Sequence, residues 1–176
     1  MTAPAAGSGS HRVVIALGSN LGDRLDNLQG GLDALFEGPG LEFVAVSPVF
    51  ETAPAGGPEQ PDYLNAVLIA GTWLPAAAVL ERCHAAEAAF GRTRDEVWGP
   101  RTLDLDLIVY GDDVIDDPAL TVPHPRAHER AFVLAPWHAA DPDARLPGRG
   151  RVADLLAAAG TAGVHQVPGV TLLPPA

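Results

Sequence analysis

Apolar residues recur along the chain in blocks whose spacing alternates between strand and helix periods. Arg12 to Leu17 (RVVIAL) is a short apolar run closed by Gly18, which predicts a strand. Leu25, Leu28, Leu32, Leu35 and Phe36 follow at helical spacing, with Asn20 or Asp23 as the cap and EGPG (37–40) as the stop. Gly30 and Gly31 weaken that helix locally. Leu41 to Phe50 is strand-like, and Pro48 within it marks an edge or a bulge. After the loop ETAPAGGPEQP (51–61), Tyr63 to Thr72 reads as another strand. Pro75 suits the first turn of an alanine-rich helix that sets Val79, Leu80, Cys83 and Phe90 near one face and stops at Gly91. A loop carrying Arg92, Arg94 and Arg101 leads into a strand over Thr102–Tyr110, closed by a GDD turn. The remainder is Pro-rich, with helical patches around Glu129–His138 and Arg151–Ala159.

The order strand–helix–strand–strand–helix–strand is that of the split βαβ, or ferredoxin-like, α+β sandwich. It predicts a mainly antiparallel sheet with helices on one face. We expect a flexible leader over 1–11, a single domain over 12–160 and a C-terminal tail over 161–176.

One strand does not fit a purely structural role. Alternation along Thr102–Tyr110 places Leu103, Leu105, Leu107 and Val109 on one face, and Asp104, Asp106, Ile108 and Tyr110 on the other. The two aspartate Cα atoms stand about 6.5–7 Å apart. Both carboxylates can therefore reach one hard cation, or two cations roughly 3.5–4 Å apart. Magnesium prefers this kind of donor set, completed by waters and phosphate oxygens. A half-solvated strand with polar residues outward is the plain alternative, and for a lone Asp-x-Asp it is the better one. Three arginines in the preceding loop suit a metal–polyphosphate site, with carboxylates on metal and guanidinium groups on oxygen; simple surface ion pairs are the plain alternative.

Composition narrows the classes. The formal net charge is −11, and all eleven basic residues are arginine. That balance opposes nucleic-acid binding, which draws its affinity from neutralised phosphates, and opposes binding to an anionic membrane. No apolar run approaches the roughly 18 residues of a membrane span. One cysteine, Cys83, excludes an internal disulfide framework and fits a reducing cytoplasm.

Several motifs carry no chemistry of their own. GSNLGD (18–23) is neither a Walker loop nor a dinucleotide fingerprint, and reads as a capped strand-to-helix turn. Ser19 lacks a nucleophile elbow. Cys83 reads as a buried thiol. His124 and His128 lack a third zinc ligand, and Pro125 separates them. His11, His84, His138 and His165 read as surface or filler, and Trp73 and Trp137 as core. Trp98 stands in the arginine loop, where an aromatic can cover a ligand.

GSNLGD (18–23), ETAP (51–54), PDYLNAV (61–67), GRTR (91–94), WGPRTLDLDLI (98–108), LTVPHP (120–125) and RAFVLAP (130–136) occur in this order. Together they resemble the 6-hydroxymethyl-7,8-dihydropterin pyrophosphokinase family of folate biosynthesis, over roughly residues 12–160. The resemblance implies transfer of the β,γ-pyrophosphoryl unit of ATP to the pterin hydroxymethyl group, releasing AMP. It implies that Asp104 and Asp106 bind two Mg2+ ions. It also implies that Arg92 and Arg101 are catalytic arginines of a mobile loop, with Arg94 and Trp98 beside them. Tyr63 and Phe132 would sandwich the pterin, Asn65 would read its edge, and Thr52 and Ala55 would line its pocket. Glu87, His124 and Arg130 would lie on the nucleotide side.

The physics agrees with that division. A flat heteroaromatic calls for two ring faces and a complementary polar edge. Phosphoryl transfer calls for alignment and charge neutralisation more than covalent help. Asp95 and Glu96 stand where relatives often carry a basic residue, and Ala55 is small where a larger apolar residue is common; neither removes a metal ligand or a stacking ring. The expected partners are small molecules, ATP and the pterin, with no nucleic acid and no membrane; we expect a cytoplasmic monomer. A non-catalytic ferredoxin-like sensor domain is the main rival, and an RRM-like module the weakest.

Overall fold

In the computed structural model, which describes residues 10–54, 59–91 and 102–175, β1 (His11–Ser19) lies inside a sheet covered on both faces. Its apolar run feeds two cores: Val13, Ile15 and Leu17 point to one side, Val14 and Ala16 to the other. β4 (Tyr63–Thr72) is likewise buried almost throughout. Runs without polar alternation mark strands packed on both sides. This is why the helices do not all lie on one face, as the element order alone predicts.

On the first face lie α1 (Arg24–Leu35) and α2 (Ala76–Ala89). Asp23 caps α1, its Oδ1 accepting from Asp26 N at 3.1 Å. The glycine pair that weakens α1 has a packing reason. A Cβ at Gly31 would come within 2.8 Å of the buried Leu103 side chain, and one at Gly30 within 2.2 Å of the Phe90 ring. α2 begins immediately after Pro75, which is its N-cap, and is closed by Gly91 at φ +72°.

The predicted strand over 41–50 is two strands, β2 (Leu41–Val46) and β3 (Pro48–Thr52), both antiparallel to β4. Ser47 makes the break. Its N–H donates to Val67 O, and its Oγ accepts from Val67 N, both at 2.9 Å, so a side chain replaces one backbone acceptor.

β5 (Asp104–Tyr110) completes the sheet beside β1, and β10 (Val164–Thr171) pairs with β3 at the opposite edge. The strand order is β10–β3–β4–β1–β5, with β2 also on β4, in an antiparallel ferredoxin-like arrangement. The segment 161–176, read from sequence as a tail, thus contributes a strand. Leu173 docks it further by two backbone hydrogen bonds with the Gln29 side chain, at 2.8 and 3.0 Å.

Two short hairpins, β6 (Ile115–Asp117) with β7 (Leu120–Val122) and β8 (Arg145–Leu146) with β9 (Gly150–Arg151), occupy the Pro-rich region. On the second face α3 (Ala131–Ala140) packs across β3 and β4, and α4 (Val152–Ala159) packs on α3. Trp137 is core, as expected. Trp73 is not: it is 55% exposed. The buried Thr72 hydroxyl donates to Gly40 O and accepts from Leu74 N, a turn that sends Leu74 inward and leaves Trp73 outside.

Candidate active site

Register aligns residues from four strands in one row. Asp104 on β5 pairs with Gly18 on β1, Gly18 with Asn65 on β4, and Asn65 with Phe50 on β3. Directly paired residues project to the same face. At the usual strand spacing, Asp104 and Asn65 stand about 10 Å apart along the row. Between them Gly18 contributes no side chain. A Cβ there would lie 3.2 Å from Asn65 Oδ1 and 3.4 Å from Tyr63 Cδ1. The row therefore reads carboxylate, open space, amide.

The amide end is well fixed. Asn65 and Thr52 are both buried, and Asn65 Nδ2 donates to Thr52 Oγ1 at 2.7 Å. Thr52 is the register partner of Tyr63. Phe132 lies in the first turn of α3, the helix that crosses β3 and β4. The Arg130 guanidinium carbon lies 5.5 Å from the centroid of the Phe132 ring, within cation–π range.

The carboxylate end is held by a strand and shaped by a bulge. Asp104 and Asp106 are both half-buried. The alternation predicted along β5 holds through Ile108 and then breaks. Val14 pairs with Val109, and Ile15 with Leu107, so Ile108 is the extra residue. Ile108 and Val109 enter the core under α3, while Tyr110 joins Leu103, Leu105 and Leu107 on the other side. Val109 and Tyr110 thus exchange the faces assigned to them by strict alternation. The bulge turns the Ile108 carbonyl outward, where it accepts from His124 N at 2.8 Å. This bond brings the segment after β7 against β5.

His124 Nδ1 accepts from Arg126 N at 3.2 Å, which leaves Nε2 as the protonated nitrogen of a neutral ring. Burial, then Arg130, push the His124 pKa down to about 4; Asp104 pulls upward and Arg126 downward. Glu87 approaches from α2. It is buried, and its Oε2 accepts from Leu105 N at 2.9 Å, satisfying a donor on the outer edge of β5. Leu80, His84, Glu87, Asp106, Thr121 and His124 line a solvent-open cleft of about 200 Å³ along this edge.

The structure thus gathers Thr52, Tyr63 and Asn65 at one end of the sheet, with Phe132 on the helix above. Glu87, Asp106 and His124 line one cleft, and Asp104 stands on the row that leads to Asn65. Ala55, Arg92, Arg94, Trp98 and Arg101 lie outside the described residues. No group of three His, Cys, Asp or Glu converges among the described residues. A cation here would take the two aspartates and complete its shell with water and ligand oxygens, which fits magnesium better than zinc. Sequence reasoning passed over Gly18, although a glycine closing a strand is a sign of close approach by a ligand or another backbone.

Comparison with known proteins places the chain in a family. Residues 14–142 match the model of the 7,8-dihydro-6-hydroxymethylpterin-pyrophosphokinase (HPPK) family. A 2-amino-4-hydroxy-6-hydroxymethyldihydropteridine pyrophosphokinase of Pseudomonas aeruginosa is 42% identical over 158 residues, covering 90% of this chain and 98% of the relative. The enzyme of the same name from Mycobacterium leprae is 49% identical over 151 residues, covering 80% and 77%. Among solved structures, a Plasmodium falciparum HPPK-DHPS with pterin and p-hydroxybenzoate superposes with a TM-score of 0.67 at 12% identity. That match covers 85% of this chain and 44% of the other, so the chain spans less than half of the two-part protein, and the likeness is one of fold.

Proposed function

The chain belongs to the 7,8-dihydro-6-hydroxymethylpterin-pyrophosphokinase family, and on that premise we propose how its own residues carry the reaction. It is an ATP-dependent pyrophosphokinase of folate biosynthesis. The hydroxymethyl oxygen of 6-hydroxymethyl-7,8-dihydropterin attacks the β-phosphorus of ATP. The bond from that phosphorus to the α-side bridging oxygen breaks, AMP leaves, and the hydroxyl proton is released.

Asn65 reads the polar edge of the pterin, with Thr52 fixing its amide. Tyr63 and Phe132 take the two ring faces, and Ala55 completes the pocket. The open space over Gly18 lets the substrate lie between amide and carboxylates. Asp104 and Asp106 hold magnesium; two bound ions would acidify the hydroxyl and neutralise the phosphates. On the nucleotide side, neutral His124, Glu87 and Arg130 border the triphosphate, while Arg94 and Trp98 cover it. Arg92 and Arg101 close on the transferred group and exclude water that would otherwise hydrolyse ATP. The enzyme acts in the cytoplasm as a monomer on these two small molecules.

The observation that carries this reading is the row Asp104–Gly18–Asn65, which sets a carboxylate and an amide on one face of the sheet with no side chain between them. Asp104→Ala and Asp106→Ala test it. Each should abolish turnover while pterin affinity and the melting temperature stay near wild type. Full activity in the double variant would sink the metal assignment.

A further inference from the structure

Arg24, which neither the motif analysis nor the site above assigns a role, links the two strands that frame the pocket. Its Nη1 lies 2.7 Å from Glu51 Oε2 and donates to the Asp62 carbonyl at 3.0 Å. Glu51 immediately precedes Thr52, and Asp62 immediately precedes Tyr63, and Thr52 and Tyr63 are register partners. One guanidinium therefore holds the neighbours of two pocket residues, one on each strand.

It does so from behind. Glu51 pairs with Leu64, which lies in the core under α1 and α2, so Glu51 projects to the face opposite Thr52 and Asn65. Arg24 is the first residue of α1, where a cation opposes the helix dipole. Helix stability alone gives no reason for an arginine there. The planar guanidinium can serve two acceptors on different segments at once, which an ammonium does less well.

We propose that Arg24 is a positioning residue for the pterin: acting through Glu51 and the Asp62 carbonyl, it fixes the spacing of Thr52 and Tyr63. The inference rests on the functional reading above. The pair is partly exposed, 31% and 40%, so it adds little to global stability. Its effect falls on the geometry of the pocket rather than on the fold.

The test is steady-state kinetics on Arg24→Ala, Arg24→Lys and Glu51→Gln, with equilibrium pterin binding and thermal melting measured on the same samples. Arg24→Ala should raise the pterin KM and Kd about threefold to tenfold, leaving kcat and the ATP KM within about twofold. Glu51→Gln should show the same split more weakly, and Arg24→Lys should recover part of the loss. The melting temperature should stay within a few degrees of wild type. An unchanged pterin Kd in Arg24→Ala, or equal losses for ATP and pterin together with a lowered melting temperature, would overturn the tether alone. A wild-type protein that forms no AMP from ATP and the pterin would overturn the functional reading and the tether with it.

Discussion

Asn65 on β4 and Thr52 on β3 are diagonal neighbours, and the 2.7 Å bond from Asn65 Nδ2 to Thr52 Oγ1 uses up one of the amide's donors. Oδ1 is thereby left beside the space over Gly18. Thr52→Val keeps the shape and removes the acceptor. It should cost about 1–3 kcal/mol of stability, because a buried N–H is left unpaired. It should also weaken pterin binding, whereas Thr52→Ser should preserve both. Denaturant unfolding beside a pterin titration distinguishes the variants.

Gly18 leaves the row without a side chain between Asp104 and Asn65, where the proposed pterin would lie. Gly18→Ala would put a methyl group 3.2 Å from Asn65 Oδ1, which displaces the amide slightly. Gly18→Val would fill the gap. We expect pterin affinity to fall for alanine and to be lost for valine, with ATP binding affected much less. Equal pterin affinity in the wild type and both variants would contradict the open-row geometry.

Glu87 has a structural task besides its place in the cleft. Glu87→Ala strands the Leu105 N–H in a buried position and should lower stability by about 1–3 kcal/mol. Glu87→Gln keeps an acceptor and should cost clearly less. A chemical-denaturation comparison of the two variants checks this.

Cys83 should be inert. It is fully buried, and burial, with Glu87 and Asp106 adding, pushes its pKa from 9.0 up to about 12. A thiol alkylator at pH 8 should label it only after unfolding. The sign of the linkage follows. Above about pH 9 the unfolded chain ionises this thiol and the native protein does not. The contribution is therefore complete below pH 9 and is lost as pH rises toward 12. Rapid labelling of the native protein at pH 8 would contradict the assignment.

Much of this was legible in residue spacing. RVVIAL, YLNAVLIAGT and the Leu28–Leu32–Leu35 periodicity became the elements they predict, because each run is long and its stop residue unambiguous. The Asp104–Asp106 pair stood out because carboxylates in an apolar strand are costly to place without a purpose. What escaped was set by pairing rather than pattern. The Ile108 bulge exchanges the faces of Val109 and Tyr110, and only the β1–β5 register reveals it. β10 is exposed at most of its positions, since an edge strand has one neighbour, and it carries Pro168 and Gly169, so its sequence resembles a tail. Arg24 carries no motif at all, and its meaning appears only when Glu51 and Asp62 are seen beside it.

If the Asp104–Gly18–Asn65 row serves this reaction, a diphosphoryl unit is transferred in one step. The most direct measurement is nucleotide product identity from the protein mixed with ATP, 6-hydroxymethyl-7,8-dihydropterin and magnesium, with EDTA as control. AMP and the pterin diphosphate should form in equal amounts, both lost in EDTA. ADP with a pterin monophosphate would contradict one-step diphosphoryl transfer.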